Sequence, residues 1–384
     1  MASRTPGFVG ERLKQSREAH GLTITGLAEM IGVSKQAVSQ YEKGADSPRD
    51  AVFDRICSLF HHEPHFFLRP VDPDLVAPIM FYRSMASATK TARLKAEARQ
   101  TWIRELVQYL SEYVDFPVVV FPQAEPYPGD PNLLSMDDAE SAASELRALW
   151  NLGDGPIVNL LRVMEHNGAL VLRHPLDAEA LDGLSGWAYP EMLPFVLLNS
   201  DKDCAVRSRL DLAHELGHLV LHRRVAPSVL HKQEMFKLIE DQAFRFGAAL
   251  LLPEKSFLAD LYSISLDALK VLKKKWKVSI GMMIERLKHI GVIDAEQHRR
   301  LRINYVARKW TRQEPFDGEI PIEQPSTIPT ALRVIVSEGI QTIEQVCVNS
   351  GFSEHWLRAL MGAPDDLFSP SDVGLKVIPF KRRA

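Results

Sequence analysis

The amino-acid sequence predicts a multidomain, mainly α-helical protein with an α+β domain and a small sheet at its centre. A chain of 384 residues is long enough for two or three domains. Apolar residues recur at helical spacing over most of the chain, whereas two short apolar runs have the flanks of strands. Proline-rich stretches at 116–133 and 315–329 interrupt regular structure and separate these parts.

Composition excludes several classes of protein. With 46% hydrophobic and 25% charged residues, the chain is neither disordered nor fibrous, and its net charge of -3 indicates no acidic or basic partner. No apolar run approaches the roughly 18 residues that a membrane span requires. The three cysteines, Cys57, Cys204 and Cys347, form no close pair and favour a reducing compartment. We therefore expect a cytoplasmic protein without a membrane partner.

The order of these patterns predicts four parts along the chain. We expect a helical domain at 1–70, a helical spacer with a proline-rich connector at 71–133, an α+β domain at 134–309 and a helical C-terminal domain at 310–384.

Two short helices joined by a tight turn are predicted between Gly21 and Gly44. Thr23 and Ser34 are residue types that cap helix N-termini, and Gly32 can adopt the positive φ of a tight turn. The apolar positions that follow these caps face inward and are Leu27, Ala28, Ile31, Ala37, Val38 and Tyr41. The pattern is that of a helix-turn-helix.

The outer face of the second helix carries Lys35, Gln36, Ser39 and Gln40. These side chains are able to read base edges or phosphates in a major groove, so we expect double-stranded DNA as a partner. One such domain reads only a few base pairs, which favours a homodimer on an inverted repeat. The alternative is a helical module kept for protein contacts, and the nearly balanced charge of residues 1–70 does not decide between them.

The run from Gly10 through Gly44 to Ser47-Pro48 resembles the XRE, lambda-repressor-like DNA-binding domain almost position by position. The resemblance implies a lambda-repressor-like fold and an operator as the DNA partner. Ile24 departs from the family, which often has Gln there.

A long helix is predicted at 83–114, where proline and glycine are absent. At 1.5 Å per residue it would span about 45 Å and act as a rigid spacer. Its apolar face at Ile103, Leu106 and Leu110 needs a partner, either the central domain or the same helix of a second subunit, and we expect the second. Its basic residues are predicted to be solvated, with DNA phosphates as the alternative contact.

The central domain is predicted to contain six elements and a helical extension. We expect helices at 136–150, 156–166, 205–222 and 233–252, strands at 169–173 and 195–199, and further helical sequence at 266–309.

The strongest chemical signal is His214-Glu215-Leu-Gly-His218 within an apolar helical stretch. Because residues i and i+4 lie one above the other on a helix, His214 and His218 can bind one ion from one face. Glu215 lies beside that pair, where its carboxylate can take a proton from a water molecule. The spacing is moderately specific alone, and its helical setting strengthens it.

A zinc hydrolase site needs a third protein ligand and one open position. The candidates are His222, His231, Glu234, Glu240 and Asp241. A straight helix places His222 about 12 Å from His214 along its axis, too far for a shared ion. Glu240 is sterically simpler, because small residues around it let two helices approach, but an exposed acid on an amphipathic helix remains the alternative.

The sequence from Arg207 to His222, with Glu240 ahead of Pro253, resembles the ImmA/IrrE family of metallopeptidases over about residues 135–255. The resemblance implies a zincin-like domain, Zn²⁺ as cofactor and Glu240 as third ligand beside the two histidines. Phe244 departs from the family, which often has Asn there.

Two functions follow from these patterns. In the first, a DNA-binding transcriptional regulator uses a zinc endopeptidase domain, with Glu215 as catalytic base, to cleave a partner protein. The resemblance implies a helix-turn-helix repressor as substrate, in stress, phage or mobile-element control. In the second, the chain is a non-catalytic transcription factor or antitoxin-like binder whose zinc domain is a sensor or scaffold. Strand 195–199 is expected to offer an edge to an extended peptide.

Overall fold

The computed structural model describes residues 4–72, 75, 79–82, 90–123, 127–175, 182–188, 192–201 and 204–362. The N-terminal domain begins with four helices, α1 (Gly10–Ala19), α2 (Ile24–Ile31), α3 (Lys35–Glu42) and α4 (Asp50–Phe60). The Thr23 side chain accepts from the Gly26 amide, and Gly32 ends α2 with φ of +67°. The predicted helix-turn-helix is therefore present.

Two contacts fix α1 against α3, the predicted recognition helix. A Cβ at Gly10 would overlap the main-chain carbonyl of Tyr41, so the two helices touch through their backbones. Arg17 donates from Nε to Glu42 Oε1 at 2.6 Å and from Nη2 to Oε2 at 3.1 Å, and both side chains are largely buried. This paired hydrogen bond holds α3 at one angle to the rest of the domain.

The next helix, α5 (Lys90–Leu110), corrects the predicted spacer. Ile103, Leu106 and Leu110 are each at most 1% exposed, because their face packs against the N-terminal domain, the sheet and the C-terminal helices. The prediction that this face pairs with the same helix of a second subunit is wrong, because residues of the same chain cover it. The first residues of the predicted helix, 83–89, lie outside the described part.

Charge also joins α5 to the N-terminal domain. Arg12 on α1 donates from Nη1 to both carboxylate oxygens of Glu105 at 2.8 Å, and both side chains are buried. Removing one partner of such a pair leaves an uncompensated buried charge, which costs about 3–5 kcal/mol. Lys95, Arg99 and Arg104 are buried too, so the prediction that the basic residues of this helix are solvated is wrong for these three.

Within the described residues, the sheet has four strands, in the order β1-β3-β4-β2. The strands are β1 (Ile79–Tyr82), β2 (Leu170–His174), β3 (Gly183–Ala188) and β4 (Leu193–Asn199). β3 pairs antiparallel with β1 and β4, and β2 pairs parallel with β4. The prediction that 195–199 forms an open edge is wrong, because β4 has a neighbour on each side.

Helices on one side of the sheet build the core of the central domain. They are α6 (Met136–Leu149), α7 (Leu160–His166), α8 (Ala205–Leu221), α9 (Gln233–Leu251), α10 (Glu254–Asp260), α11 (Leu266–Trp276), α12 (Ile280–His289) and α13 (Ala295–Ala307). The helix predicted at 156–166 begins later, because the Asn159 side chain accepts from the Arg162 amide and caps it at that point. The other bounds agree within a few residues.

The C-terminal helices are α14 (Thr327–Ser337), α15 (Ile343–Ser350) and α16 (Glu354–Met361). They pack on α5, and Trp356 donates from Nε1 to the carbonyl of Phe60 at 2.7 Å. The sheet therefore lies between two cores: Leu172 and Leu197 face the one around α5, whereas Val171, Val196 and Leu198 face α8 and α9.

Two expectations drawn from composition concern the cysteines and membrane-spanning helices. The three cysteines are free thiols and half-buried. None of the helices in the described ranges combines the length and the hydropathy needed to cross a bilayer.

Candidate metal centre

The centre is built where α8 and α9 cross closely in opposite directions. A Cβ at Gly217 on α8 would lie 3.0 Å from the carbonyl oxygen of Ala243, and a Cβ at Gly247 on α9 would lie 3.2 Å from the His214 amide nitrogen. Either side chain would push the helices apart. The two glycines therefore set the short distance across which a residue of α9 reaches the histidines of α8.

The structure brings His214, His218 and Glu240 together, as predicted. The two imidazole Nε2 atoms lie 3.0 Å apart, and each lies 3.3 Å from a different oxygen of Glu240. Two ligands of a tetrahedral zinc ion at about 2.1 Å are separated by roughly 3.4 Å, close to these three distances. Within the described ranges, these residues form the histidine, cysteine and carboxylate cluster that could hold a metal ion.

A chain of hydrogen bonds assigns the protons of His218. The Gln242 amide nitrogen donates to the carbonyls of Pro131 and Leu134 at 2.8 and 2.7 Å, so its oxygen accepts from His222 Nε2 at 3.0 Å. Burial lowers the pKa of His222 well below its usual value, so that ring stays neutral and its Nδ1 accepts. His218 Nδ1 lies 3.0 Å from this acceptor and donates to it.

This arrangement leaves His218 Nε2 with a lone pair directed into the cluster, which is what a metal ligand requires. It also explains why Glu240 Oε1 is buried without a hydrogen-bond partner among the described residues, although it lies 3.3 Å from that nitrogen. A carboxylate and two imidazoles suit Zn²⁺, so the residues present fit that ion.

Glu215 lies on the other side of the pair, against β3. Its Oε2 accepts from Ser185 Oγ at 2.6 Å, and a Cβ at Gly183 would lie 3.3 Å from its Cγ. The side chain is almost fully buried, and this burial raises its pKa to about 7. A buried carboxyl group with a pKa near 7 is suited to proton transfer near neutral pH.

Other residues considered from sequence have different positions. His231, Glu234 and Asp241 are exposed. His222 lies outside the cluster of His214, His218 and Glu240, and its ring contacts His218 and Gln242 instead. Sequence reasoning missed these contacts of His222 and the roles of Gln242 and Ser185; the only signal for the first was its spacing of four residues from His218.

The candidate DNA-reading residues lie on one face of α3. Lys35, Gln36 and Gln40 are exposed, whereas Ser39 is half-buried. Ser34 caps the helix by accepting from the Ala37 amide at 3.1 Å.

Comparison with known proteins adds two family matches. Residues 13–64 match the helix-turn-helix family, and residues 164–288 match the family described as the IrrE N-terminal-like domain.

Three curated proteins are similar over shorter stretches. An HTH-type transcriptional regulatory protein of Pyrococcus furiosus is 43% identical over 75 residues, which is 19% of this chain and 23% of that protein. Antitoxin PezA of Streptococcus pneumoniae is 34% identical over 54 residues, 14% of this chain and 34% of the antitoxin. HTH-type transcriptional regulator y4wC of Sinorhizobium fredii is 37% identical over 59 residues, 15% and 41% of the two chains. The chain thus spans less than half of each of these relatives.

The two family matches contain the two constellations described above: residues 13–64 hold α3 with its exposed amides, and residues 164–288 hold the histidines, Glu215 and Glu240. The chain therefore carries an XRE-type helix-turn-helix domain at its N-terminus and an IrrE N-terminal-like domain of the M78 peptidase family in its central region.

Proposed function

We propose that the protein is a DNA-binding transcriptional regulator that cleaves a partner protein with a zinc-dependent endopeptidase site. The observation that carries the proposal is the position of Glu215. A structural or sensing metal site needs ligands only, whereas this site adds a buried carboxyl group with a raised pKa beside the cluster. Two imidazoles and one carboxylate also leave a position open for substrate.

The side chains of the site divide the work of peptide hydrolysis. A bound zinc ion would polarise the scissile carbonyl and make a water molecule more acidic. Glu215 takes a proton from the attacking water and passes it to the leaving nitrogen, which its pKa of about 7 allows in both directions near neutral pH. Ser185 holds one carboxylate oxygen, so the other is left to meet the water.

The N-terminal domain would bring the peptidase to an operator on DNA. Gln36 and Gln40, with Lys35 and Ser39, would contact an operator from α3. Binding to DNA raises the effective concentration of the peptidase near other operator-bound proteins, which makes a helix-turn-helix repressor a suitable substrate. A toxin–antitoxin partner is a second substrate of the same kind, since one relative is an antitoxin.

The test replaces Glu215, the proposed general base, and no other residue. Glu215→Gln should keep one zinc ion per chain and the native fold, and should lower cleavage of repressors encoded next to this gene by at least a hundredfold, because glutamine cannot accept the proton. Glu234→Gln, an exposed change on α9, is the matched control and should cleave like the native protein. Cleavage by Glu215→Gln at the native rate would contradict the proposal and leave a sensor or scaffold as the function of the zinc domain.

A further inference from the structure

The edge of β3 that faces away from β4 is covered by a short strand from the preceding part of the chain. β1 pairs antiparallel with β3 over four residues, and Phe81 lies at the register position opposite Ser185. β1 follows the N-terminal domain and precedes α5, so it belongs to neither family match. Its sequence, Ile-Met-Phe-Tyr, is entirely apolar or aromatic.

The covered edge is the one nearest to Glu215. Ser185 on β3 donates its hydroxyl hydrogen to that carboxylate, and Gly183 lies against its Cγ. The opposite edge of the sheet, formed by β2, lies two strands further away. At about 4.8 Å per strand, the β2 edge is roughly 10 Å farther from Glu215 than the β3 edge is.

An extended peptide binds to a protein by adding a strand to such an edge, where main-chain hydrogen bonds supply much of the affinity. A peptide paired with β3 in this way would pass the residue that holds Glu215. β1 already makes this pairing in the same place. Any other peptide that uses the edge must therefore displace it.

We propose that the outer edge of β3 is the substrate-binding edge of the peptidase and that β1 occupies it as an internal substitute for substrate. The inference rests on the proposed function, which it deepens in two respects. Substrates are extended segments that pair antiparallel with β3 and resemble Ile79–Tyr82 in their apolar and aromatic character. Access to the site is regulated by release of β1.

β1 competes strongly with free peptides because it is covalently joined to the domain whose edge it covers. A strand joined to its site by a short linker acts at an effective concentration on the order of millimolar. A free peptide of moderate affinity cannot compete at micromolar concentration. Because β1 lies between the N-terminal domain and α5, a change in the packing of these two parts would act directly on its pairing.

The test measures peptide binding instead of cleavage. All proteins are full-length, zinc-loaded and carry Glu215→Gln, so that a bound peptide stays intact. The probe is a fluorescent peptide with the sequence of residues 77–84, and the readout is fluorescence anisotropy. One protein has no further change, a second adds Met80→Pro and Phe81→Pro, and a third adds Met80→Thr and Phe81→Thr.

The two prolines remove adjacent main-chain donors, one of which must point toward β3 whatever the register, whereas threonine keeps both donors and favours a strand. The proline protein should bind the peptide at least tenfold more tightly than the other two. Amide hydrogens of β3 should also exchange at least tenfold faster in it when no peptide is added.

Equal peptide affinity in all three proteins, or equal exchange at β3, would overturn the inference. If the prolines prevent folding, the changes Ile79→Gly, Met80→Ser, Phe81→Gly and Tyr82→Ser weaken strand formation and serve in their place. Because the readout needs no turnover, the two proposals can fail separately. The predicted binding pattern, together with no repressor cleavage by a proline protein that keeps Glu215, would reject the peptidase proposal and retain the pairing edge. Repressor cleavage with an unchanged binding pattern would do the reverse.

Discussion

One amide side chain decides which nitrogen of His218 faces the metal site. Gln242 donates both of its amide hydrogens to the carbonyls of Pro131 and Leu134. Its amide oxygen therefore accepts from His222, whose other ring nitrogen accepts from His218. No alternative direction of this chain satisfies the two carbonyls. The orientation of a metal ligand thus depends on a residue that does not belong to the cluster itself.

Replacement of this amide tests the chain of hydrogen bonds. Gln242→Ala should weaken zinc binding by about 10- to 100-fold, because His222 and His218 lose the partner that fixes their protons. The measurement is competition for zinc with a chelator of known affinity. Gln233→Ala, an exposed change at the start of α9, is the matched control and should bind zinc like the native protein. Native affinity in Gln242→Ala would show that the proton assignment is wrong.

A second histidine, His62, links the N-terminal and C-terminal helices. It is 3% exposed, it stacks between Phe66 at 3.6 Å and Trp356 at 5.3 Å between ring centroids, and neither ring nitrogen has a hydrogen-bond partner within the described ranges. Burial lowers its pKa well below the usual value. The folded protein therefore holds this ring neutral in acid, where the unfolded chain takes up a proton below about pH 6.5.

His62 makes the folded protein less stable in acid. The contribution of His62 to stability is present above about pH 6.5 and is lost as the pH falls toward its folded pKa, at up to about 1.4 kcal/mol per pH unit. In His62→Phe, the difference in unfolding free energy between pH 7.5 and 5.0 should shrink by about 1–2 kcal/mol in urea denaturation. His166→Phe, at an exposed histidine, should leave that difference unchanged. An unchanged difference in His62→Phe would refute the assignment.

At the level of elements, α3 combines a fixed backbone with an exposed polar face. Gly10 and the Arg17–Glu42 pair hold it against α1, while Gln36 and Gln40 project outward. Amides placed this way suit base edges, whereas phosphate contacts come from other parts of a helix-turn-helix. Specificity and general affinity should therefore be separable.

The double substitution Gln36→Ala with Gln40→Ala should lower operator affinity by about 1–3 kcal/mol for each base that α3 no longer recognises, and should change affinity for random duplex much less. Titrations at one fixed salt concentration measure both quantities. Ser58→Ala, an exposed change on α4, is the control. A double variant that kept the native ratio of operator to random binding would show that α3 does not read the sequence.

Across the whole molecule, local patterns were predicted and long-range packing was not. Helix caps such as Thr23 and Ser34, and the pairing of His214 with His218, depend on residues a few positions apart and can be read from sequence. Glu240 was reached by combining small residues on α9 with a family resemblance.

The partner of α5 and the strand β3 were not predicted from the sequence, and both omissions have the same physical origin. The apolar face of α5 predicts burial but does not name its partner, and the structure supplies that partner from helices of both termini. β3 carries Gly183 and Gly186, residues with low strand propensity, and forms because β4 and β1 pair with it. Tertiary pairing of this kind leaves no periodic signal in the sequence.

The proposed function depends most on the meeting of two helices at one zinc ion. The direct measurement is zinc per chain by elemental analysis of the full-length protein, after dialysis against a weak chelator. The native protein and Glu215→Gln should each retain one zinc ion, and Glu240→Gln should lose most of it, because a neutral amide replaces the anionic ligand. A native protein without zinc, or a Glu240→Gln protein that retains a full equivalent, would contradict this assignment of the metal centre.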